Sequence, residues 1–156
     1  MPTNYGKKWE QKVKEDLSTL EGVSLDRIYD SVSGYKSISN ISDFIAYVYP
    51  NIFYLEVKSI KGNTFPLTNL TQYDKLVTKV GIPGVRAGVI LWFIDHSKVC
   101  YVPIATVTTL KLNNQKSVNV KMLADDTYNI KSVPSVTKRV FPTCDYRLLT
   151  TLKDGE

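Results

Sequence analysis

Cysteine and histidine are scarce in this sequence of 156 residues, which holds two cysteines and one histidine. Cys100 and Cys144 give neither a disulfide framework nor the spacing of a zinc site. No apolar run approaches the roughly 20 residues that cross a bilayer, and the first residues, MPTNYGKKWE, lack the apolar block of a secretion signal. We therefore expect a cytoplasmic protein with reduced thiols and no membrane association.

Acidic residues are outnumbered, since 20 lysines and arginines face 15 aspartates and glutamates and leave a net charge of +5. This surplus favours polyanionic partners, nucleic acid above all, although many unrelated proteins share it. The apolar fraction of 43% and the charged fraction of 22% are typical of a globular protein. Length and composition together predict a single domain spanning residues 1–156.

Hydrophobic periodicity predicts an α/β fold in the order α-β-β-β-α-β-β-α, a mixed β-sheet flanked by helices. The predicted elements are a helix at 5–20, strands at 25–29, 42–49 and 52–59, a helix from Thr68 or Asn69 to Val80, strands at 85–94 and 98–104, and a helix at 103–112. Beyond residue 112 the pattern is weaker. SVNVKML alternates like an edge strand, TKRVF is compatible with another strand, and YRLLTTL with a strand or a short helix.

Three charged residues stand in the predicted hairpin among aromatic and β-branched neighbours: Asp43, Glu56 and Lys58. Alternate residues of a strand share a face, so Glu56 and Lys58 point the same way. Positions 43 and 56 are nearly symmetric about the turn Tyr49-Pro50-Asn51, and antiparallel pairing would place them opposite each other, with Cβ atoms roughly 5 Å apart. The alternative from composition alone is an ordinary solvated face with salt bridges.

Such a cluster suits Mg²⁺, which takes one or two carboxylates together with water and substrate phosphate oxygens. Asp43 and Glu56 are the predicted metal ligands, and the backbone carbonyl of Val57 is a further candidate. A lysine beside the metal, here Lys58, is able to orient or deprotonate an attacking water and to stabilise charge on the phosphate. The predicted cofactor is Mg²⁺, with Mn²⁺ able to substitute and no small-molecule cofactor.

The spacing of Asp43 and Glu56-Val57-Lys58 resembles the PD-(D/E)XK nuclease pattern, as does the predicted order of elements. Two flanking segments are similar to the RecU-type Holliday junction resolvases of that superfamily. NYGKKWEQKV resembles their N-terminal helix motif, and EVKSIKGNTFPLTNL resembles the segment that follows the catalytic lysine. Together these similarities span residues 4–104. They imply a restriction-endonuclease-like core.

The resemblance also implies further site residues. The glutamate of the N-terminal helix motif, which is Glu10 here, faces the metal site in that family, so Glu10 is a candidate catalytic residue and metal ligand. Gln72 is a candidate catalytic residue of the second helix, although the family usually places a histidine and a glutamine there in a slightly different register. The family's long basic stalk before the catalytic aspartate is reduced here to the short stretch 31–42.

Candidate DNA-binding residues flank these positions. A basic run at the N-terminus would reach phosphates if DNA approaches near Glu10, and the residues after the predicted catalytic strand are plausible backbone contacts. The candidates are Lys7, Lys8, Lys36, Lys61, Asn63 and Thr64.

The predicted function is a Mg²⁺-dependent, structure-selective endodeoxyribonuclease that resolves four-way DNA junctions by paired symmetric cuts. Two symmetric cuts imply a homodimer. Two alternatives remain open: a small dimeric restriction endonuclease on the same core, and a DNA-binding module that has lost catalysis.

Overall fold

The computed structural model describes residues 5–29 and 40–153. Its helices are α1 Tyr5–Leu17, α2 Tyr73–Val77 and α3 Ile104–Leu112. Its strands are β1 Val23–Arg27, β2 Phe44–Val48, β3 Asn51–Ile60, β4 Thr64–Pro66, β5 Val85–Phe93, β6 Lys98–Pro103, β7 Ser117–Asn119, β8 Lys131–Val133, β9 Ser135–Thr137 and β10 Pro142–Cys144. Short 3-10 helices lie at Leu67–Asn69, Ile94–His96, Val120–Ala124, Asp126–Tyr128 and Arg147–Thr150.

A mixed sheet with the strand order β1-β2-β3-β5-β6-β8 forms the centre of the fold. Strands β3 and β5 are parallel and every other neighbouring pair in this sheet is antiparallel. The chain between β3 and β5 includes α2, the kind of crossover that parallel strands require. Strand β5 is buried along nearly all of its length, as its apolar run predicts.

Each face of this sheet is covered by its own apolar cluster. On one face, Trp9, Val13 and Leu17 of α1 pack on a cluster that includes Phe44 and Val57. On the other face, which we call the α2/α3 face, side chains of α2 and α3 pack on alternate residues of β5 and β6. Because consecutive strand residues point to opposite faces, Val57 faces α1 while Glu56 and Lys58 face the α2/α3 side.

The predicted order α-β-β-β-α-β-β-α is confirmed for the helices and the central-sheet strands up to α3. It lacks the short strand β4, which precedes α2 and pairs with β7, and the second helix is shorter than the periodicity predicts. The prediction that it starts at Thr68 or Asn69 is wrong, because a 3-10 turn ends at Leu70, whose backbone leaves the helical region at φ −91° and ψ 78°. The helix proper begins after Gln72 and ends at Val77. The Thr78 hydroxyl then bonds the Lys75 carbonyl and closes the last turn.

The C-terminal segment corrects two further expectations. TKRVF is not a strand, because residues 138–140 form the exposed turn between β9 and β10, which pair Thr137 with Pro142. SVNVKML is a strand only over Ser117–Asn119 and then becomes a 3-10 turn. YRLLTTL adopts the short-helix alternative, and β8 is an edge strand that the sequence pattern did not predict.

Across the described ranges, no helix has both the length and the apolar character that crossing a membrane requires.

Candidate active site

Asp43 and Glu56 lie next to each other where β2 begins alongside β3. The ladder begins with the pair of Phe44 and Leu55, and Asp43 and Glu56 are the next residues of the two chain segments. Their carboxyl groups are close enough to share a hydrogen bond. The Asp43 N–H donates to the carbonyl of Leu55 at 3.1 Å, although Leu55 is the ladder partner of Phe44, so Asp43 is bound to β3 just outside the regular pairing. The Oδ2 atom of Asp43 accepts the Val57 N–H at 2.8 Å. The hairpin therefore fixes the aspartate by both its backbone and its side chain.

The carboxyl group of Glu56 is almost completely removed from solvent, with 3% of the residue exposed. Its Oε1 atom lies 3.7 Å from the Lys58 ammonium, whereas its Oε2 atom is buried without a hydrogen-bond partner among the described residues. Burial, the charge of Asp43 and the hydrogen bond shared with Asp43 raise the pKa of Glu56 to about 9, against a partly opposing effect of Lys58. In the absence of a cation, Glu56 therefore holds a proton at neutral pH.

A hard divalent cation fits this donor set. The buried Oε2 atom lacks a partner, and two adjacent carboxyls repel each other unless a proton or a cation lies between them. The N–H and C=O of one strand residue project to the same side, so the Val57 carbonyl faces the side on which its N–H meets Asp43. Within residues 5–29 and 40–153, no three His, Cys, Asp or Glu side chains converge as a metal cluster, so Glu10 does not complete a three-carboxylate set with Asp43 and Glu56. A set of two carboxylates is of the kind that Mg²⁺ accepts.

Lys58 follows Glu56 on the same face of β3, and about a quarter of its side chain is exposed. Its backbone carbonyl accepts the indole N–H of Trp9 at 3.1 Å, a contact that joins α1 to this part of the strand. The ammonium group is thus held beside a buried carboxyl while remaining accessible to a substrate.

Glu10 lies near this pair but is engaged elsewhere. It extends from α1, on the other face of the sheet, and its carboxylate forms an ion pair with Arg27 of β1. Its negative charge nevertheless contributes to the raised pKa of Glu56, as the smallest of the causes. The structure therefore brings Glu10 close to the carboxyl pair, and a direct role as a ligand stays a prediction.

Gln72 lies immediately before α2, half-buried, and its Oε1 atom accepts the Thr71 hydroxyl at 2.9 Å. Among the described residues, no hydrogen bond joins the Gln72 side chain to Asp43, Glu56 or Lys58. Its catalytic role stays a prediction.

Three of the predicted DNA contacts are lysines on the described surface. Lys7 and Lys8 are exposed on α1. Lys61 is exposed just after β3, with its ammonium 5.7 Å from the centroid of the Tyr5 ring. All three lie on segments that flank the carboxyl pair, and their contact with DNA stays a prediction.

The remaining predicted contacts follow β3 or lie outside the described ranges. Asn63 and Thr64 are exposed, and the Asn63 side chain is bonded to His96 at 2.6 Å. Lys36 lies outside the described residues.

Arg27 is a site residue that sequence reasoning missed. Its guanidinium pairs with Glu10 and lies 5.0 Å from the ring centroid of Tyr29 and 5.8 Å from that of Phe44, the residue after Asp43. The Ile28 N–H also donates to the Asp43 carbonyl at 2.8 Å, so β1 supports the aspartate from its outer side. A run of apolar and polar residues in β1 carries no signal for this contact, because it depends on how α1 crosses the sheet.

In the described part of the chain, a mixed sheet carries α1 on one face and α2 and α3 on the other, which is a restriction-endonuclease-like fold. Among solved structures, the chain is similar to the Holliday junction resolvase Hjc from the archaeal hyperthermophile Archaeoglobus fulgidus, with a TM-score of 0.50 and 22% sequence identity over 65% of this chain and 78% of that one. No family profile and no curated protein matches the sequence at a significant level. The likeness to Hjc establishes the fold.

Proposed function

We propose that this protein is a Mg²⁺-dependent endodeoxyribonuclease that resolves four-way DNA junctions. The observation that carries the proposal is the adjacency of the Asp43 and Glu56 carboxyl groups, with a buried unpartnered oxygen on Glu56 and the Lys58 ammonium beside it. Two further points support it: the fold is shared with a Holliday junction resolvase, and the sequence motifs resemble those of the RecU type.

Asp43, Glu56 and the Val57 carbonyl would hold the cation, and Glu10 would assist from α1. When bound, Mg²⁺ offsets the charge of the carboxylates, polarises the phosphodiester and lowers the pKa of water. Asp43 is fixed by the Val57 N–H, so its free oxygen keeps one direction. Glu56 must lose its proton before it acts as a ligand, since burial keeps it protonated at neutral pH.

Lys58 is placed to act on the attacking water and on the phosphate. Its ammonium points to the same side as Glu56 and is partly exposed, so it is able to contact a substrate oxygen. Attack in line with the 3′ oxygen leaves a 5′ phosphate, as the resemblance implies. Paired cuts in a four-way junction require two such sites, and we propose a homodimer with two-fold symmetry.

Cleavage of synthetic four-way junctions tests this proposal. With Mg²⁺, the parent protein should cut opposite strands of a mobile junction at symmetric positions and leave 5′ phosphates, and Asp43→Asn should abolish cutting while the protein remains folded. Glu15→Gln, an exposed change on α1, is the matched control and should cut like the parent. Equal cutting by the parent and Asp43→Asn would contradict the proposal.

Linear DNA separates junction resolution from the restriction-endonuclease alternative. A resolvase should leave a linear plasmid intact under conditions that convert the junction to nicked duplexes. Discrete fragments from the plasmid, with the junction uncut, would assign the same residues to a sequence-specific endonuclease instead.

A further inference from the structure

Beside the carboxyl pair, the α2/α3 face of β2 and β3 carries a partly exposed surface, bordered by Lys79 and Asp26, that we call the groove. The register pairs Ile45 with Tyr54 and Tyr47 with Ile52, in successive steps from Asp43 and Glu56. These four side chains share the face of Glu56 because each lies an even number of residues from Asp43 or Glu56. Ile45, Ile52 and Tyr54 are half-buried, and Tyr47 is 44% exposed. The floor of the groove is therefore apolar and open to solvent.

Lys79 borders this floor from the side of α2. It lies two residues beyond the end of the helix, where its N–H donates to the Leu76 carbonyl at 3.0 Å. Its ammonium is 5.0 Å from the centroid of the Tyr54 ring, a cation–π distance. Tyr54 precedes Glu56 by two residues, so their Cα atoms lie about 7 Å apart along the strand at the usual strand rise.

Lys79 is half-buried, and within the described part of the chain no carboxylate forms an ion pair with it. A partly desolvated cation without a counter-ion is costly unless an anion joins it when the protein acts. The ring of Tyr54 limits the directions that the ammonium samples, so an arriving anion would meet an oriented donor.

Asp26 marks the other side of the groove. It lies on β1 opposite Ile45 and is exposed. A carboxylate there repels phosphate, which directs a polyanion along β3 and the α2 side rather than across β1. The apolar floor suits the sugar and base surfaces of a nucleotide, and the single positive edge suits its phosphate.

We propose that this groove binds the DNA strand that is being cut, and that Lys79, oriented by Tyr54, holds the phosphate next to the scissile one. The inference rests on the proposed nuclease function and adds a binding subsite for the deoxyribose-phosphate backbone. Contact at this point would align the strand so that the following phosphodiester meets Asp43, Glu56 and Lys58.

Binding of a labelled synthetic four-way junction in the presence of Mg²⁺ tests the groove, with Glu56→Gln as background so that cutting does not interfere. Lys79→Gln should weaken binding about tenfold and reduce the salt slope of the binding constant by about one ion. Lys79→Arg should restore most of the affinity. Tyr54→Phe, which keeps the ring, should bind like the parent.

Lys138→Gln is the matched control, because it removes the same charge from the exposed β9–β10 turn, whose flanking residues Phe141 and Cys144 pack on the α1 side. Its affinity and salt slope should equal those of the parent. Equal effects of Lys79→Gln and Lys138→Gln, or no junction binding by the parent, would overturn the groove. Junction cutting by the wild-type protein is measured separately. If the wild-type protein cuts junctions but Lys79→Gln binds them as tightly as the parent, the DNA-binding role of the groove is refuted and the nuclease function is not.

Discussion

The carboxyl groups of Asp43 and Glu56 lie together just beyond the first pair of the β2–β3 ladder, and the Val57 N–H holds one oxygen of Asp43 at 2.8 Å. The peptide bond that follows Glu56 therefore anchors the side chain of Asp43 beside it. Because Glu56 is buried and Asp43 is anchored, the pair cannot relieve its repulsion by turning into solvent. A bound proton or a bound cation has to offset the repulsion between the two carboxylates. The site is therefore expected to depend on both pH and divalent metal.

Glu56→Gln should stabilise the metal-free protein at neutral and alkaline pH. The folded pKa of about 9 lies above the ordinary value of 4.5, so the folded state keeps a proton that the unfolded state releases between these values. The contribution of Glu56 to the free energy of unfolding is therefore most favourable below pH 4.5 and falls as the pH rises from 4.5 to about 9. The fall amounts to at most about 1.4 kcal/mol per pH unit.

Urea unfolding at pH 5 and pH 8 in a chelating buffer measures this effect. The gap between Glu56→Gln and the parent should be wider at pH 8 than at pH 5, and Mg²⁺ should narrow it by stabilising only the parent. Parallel pH profiles for the two proteins would show that Glu56 is not protonated in the fold.

Lys58→Met should lower the rate of junction cutting at saturating DNA by about 10²–10⁴-fold. Methionine keeps the length and apolar part of the side chain but removes the ammonium that lies beside Glu56. Single-turnover cleavage gives the rate, and Mn²⁺ binding measured alongside should persist. A Lys58→Met protein that cuts at the parent rate would exclude the lysine from the chemistry, and Lys138→Met controls for the lost charge.

Glu10→Gln should raise the Mg²⁺ concentration needed for half-maximal cutting, by roughly tenfold. Its charge reaches Glu56, although Arg27 partly neutralises it. Glu15→Gln changes an exposed glutamate on the same helix and should leave the Mg²⁺ dependence as in the parent. Identical Mg²⁺ curves for Glu10→Gln and Glu15→Gln would remove Glu10 from the site.

Gly88→Ala should destabilise the fold by about 1–3 kcal/mol. A Cβ at this position would meet the Tyr101 ring, with 2.4 Å to Cε2 and 2.7 Å to the hydroxyl, and that ring is fully buried. Thermal unfolding measures the loss. Ser132→Ala, on the exposed side of β8, should change stability by less than about 0.5 kcal/mol. Equal stability of the two variants would show that Tyr101 has room to move.

The hairpin could be predicted from sequence because its information is local. The alternation in β2 and β3 fixes which residues share a face, and the short turn fixes the register, so the positions of Asp43, Glu56 and Lys58 follow from about 20 residues of chain. Strand β5 was equally predictable, since a continuous apolar run bounded by glycine and a polar turn is typical of a central strand that is buried on both faces.

The second helix and the contacts between distant segments could not be predicted in this way. Leu70 leaves the helical backbone and is buried among the side chains of the α2/α3 face, a tertiary effect that overrides periodicity. The pairing of Arg27 with Glu10 depends on the crossing of α1 over β1, and the approach of Lys79 to Tyr54 depends on how α2 ends. None of these has a signature in a single stretch of sequence.

Calorimetric titration with Mn²⁺ at pH 8, in two buffers of different ionisation enthalpy, tests most directly whether the carboxyl pair holds a divalent cation. The parent should bind Mn²⁺ and release close to one proton per ion, because the cation replaces the proton of Glu56, and Glu56→Gln should bind much more weakly without that release. Equal binding by both proteins, or binding by the parent with no proton release, would contradict the account.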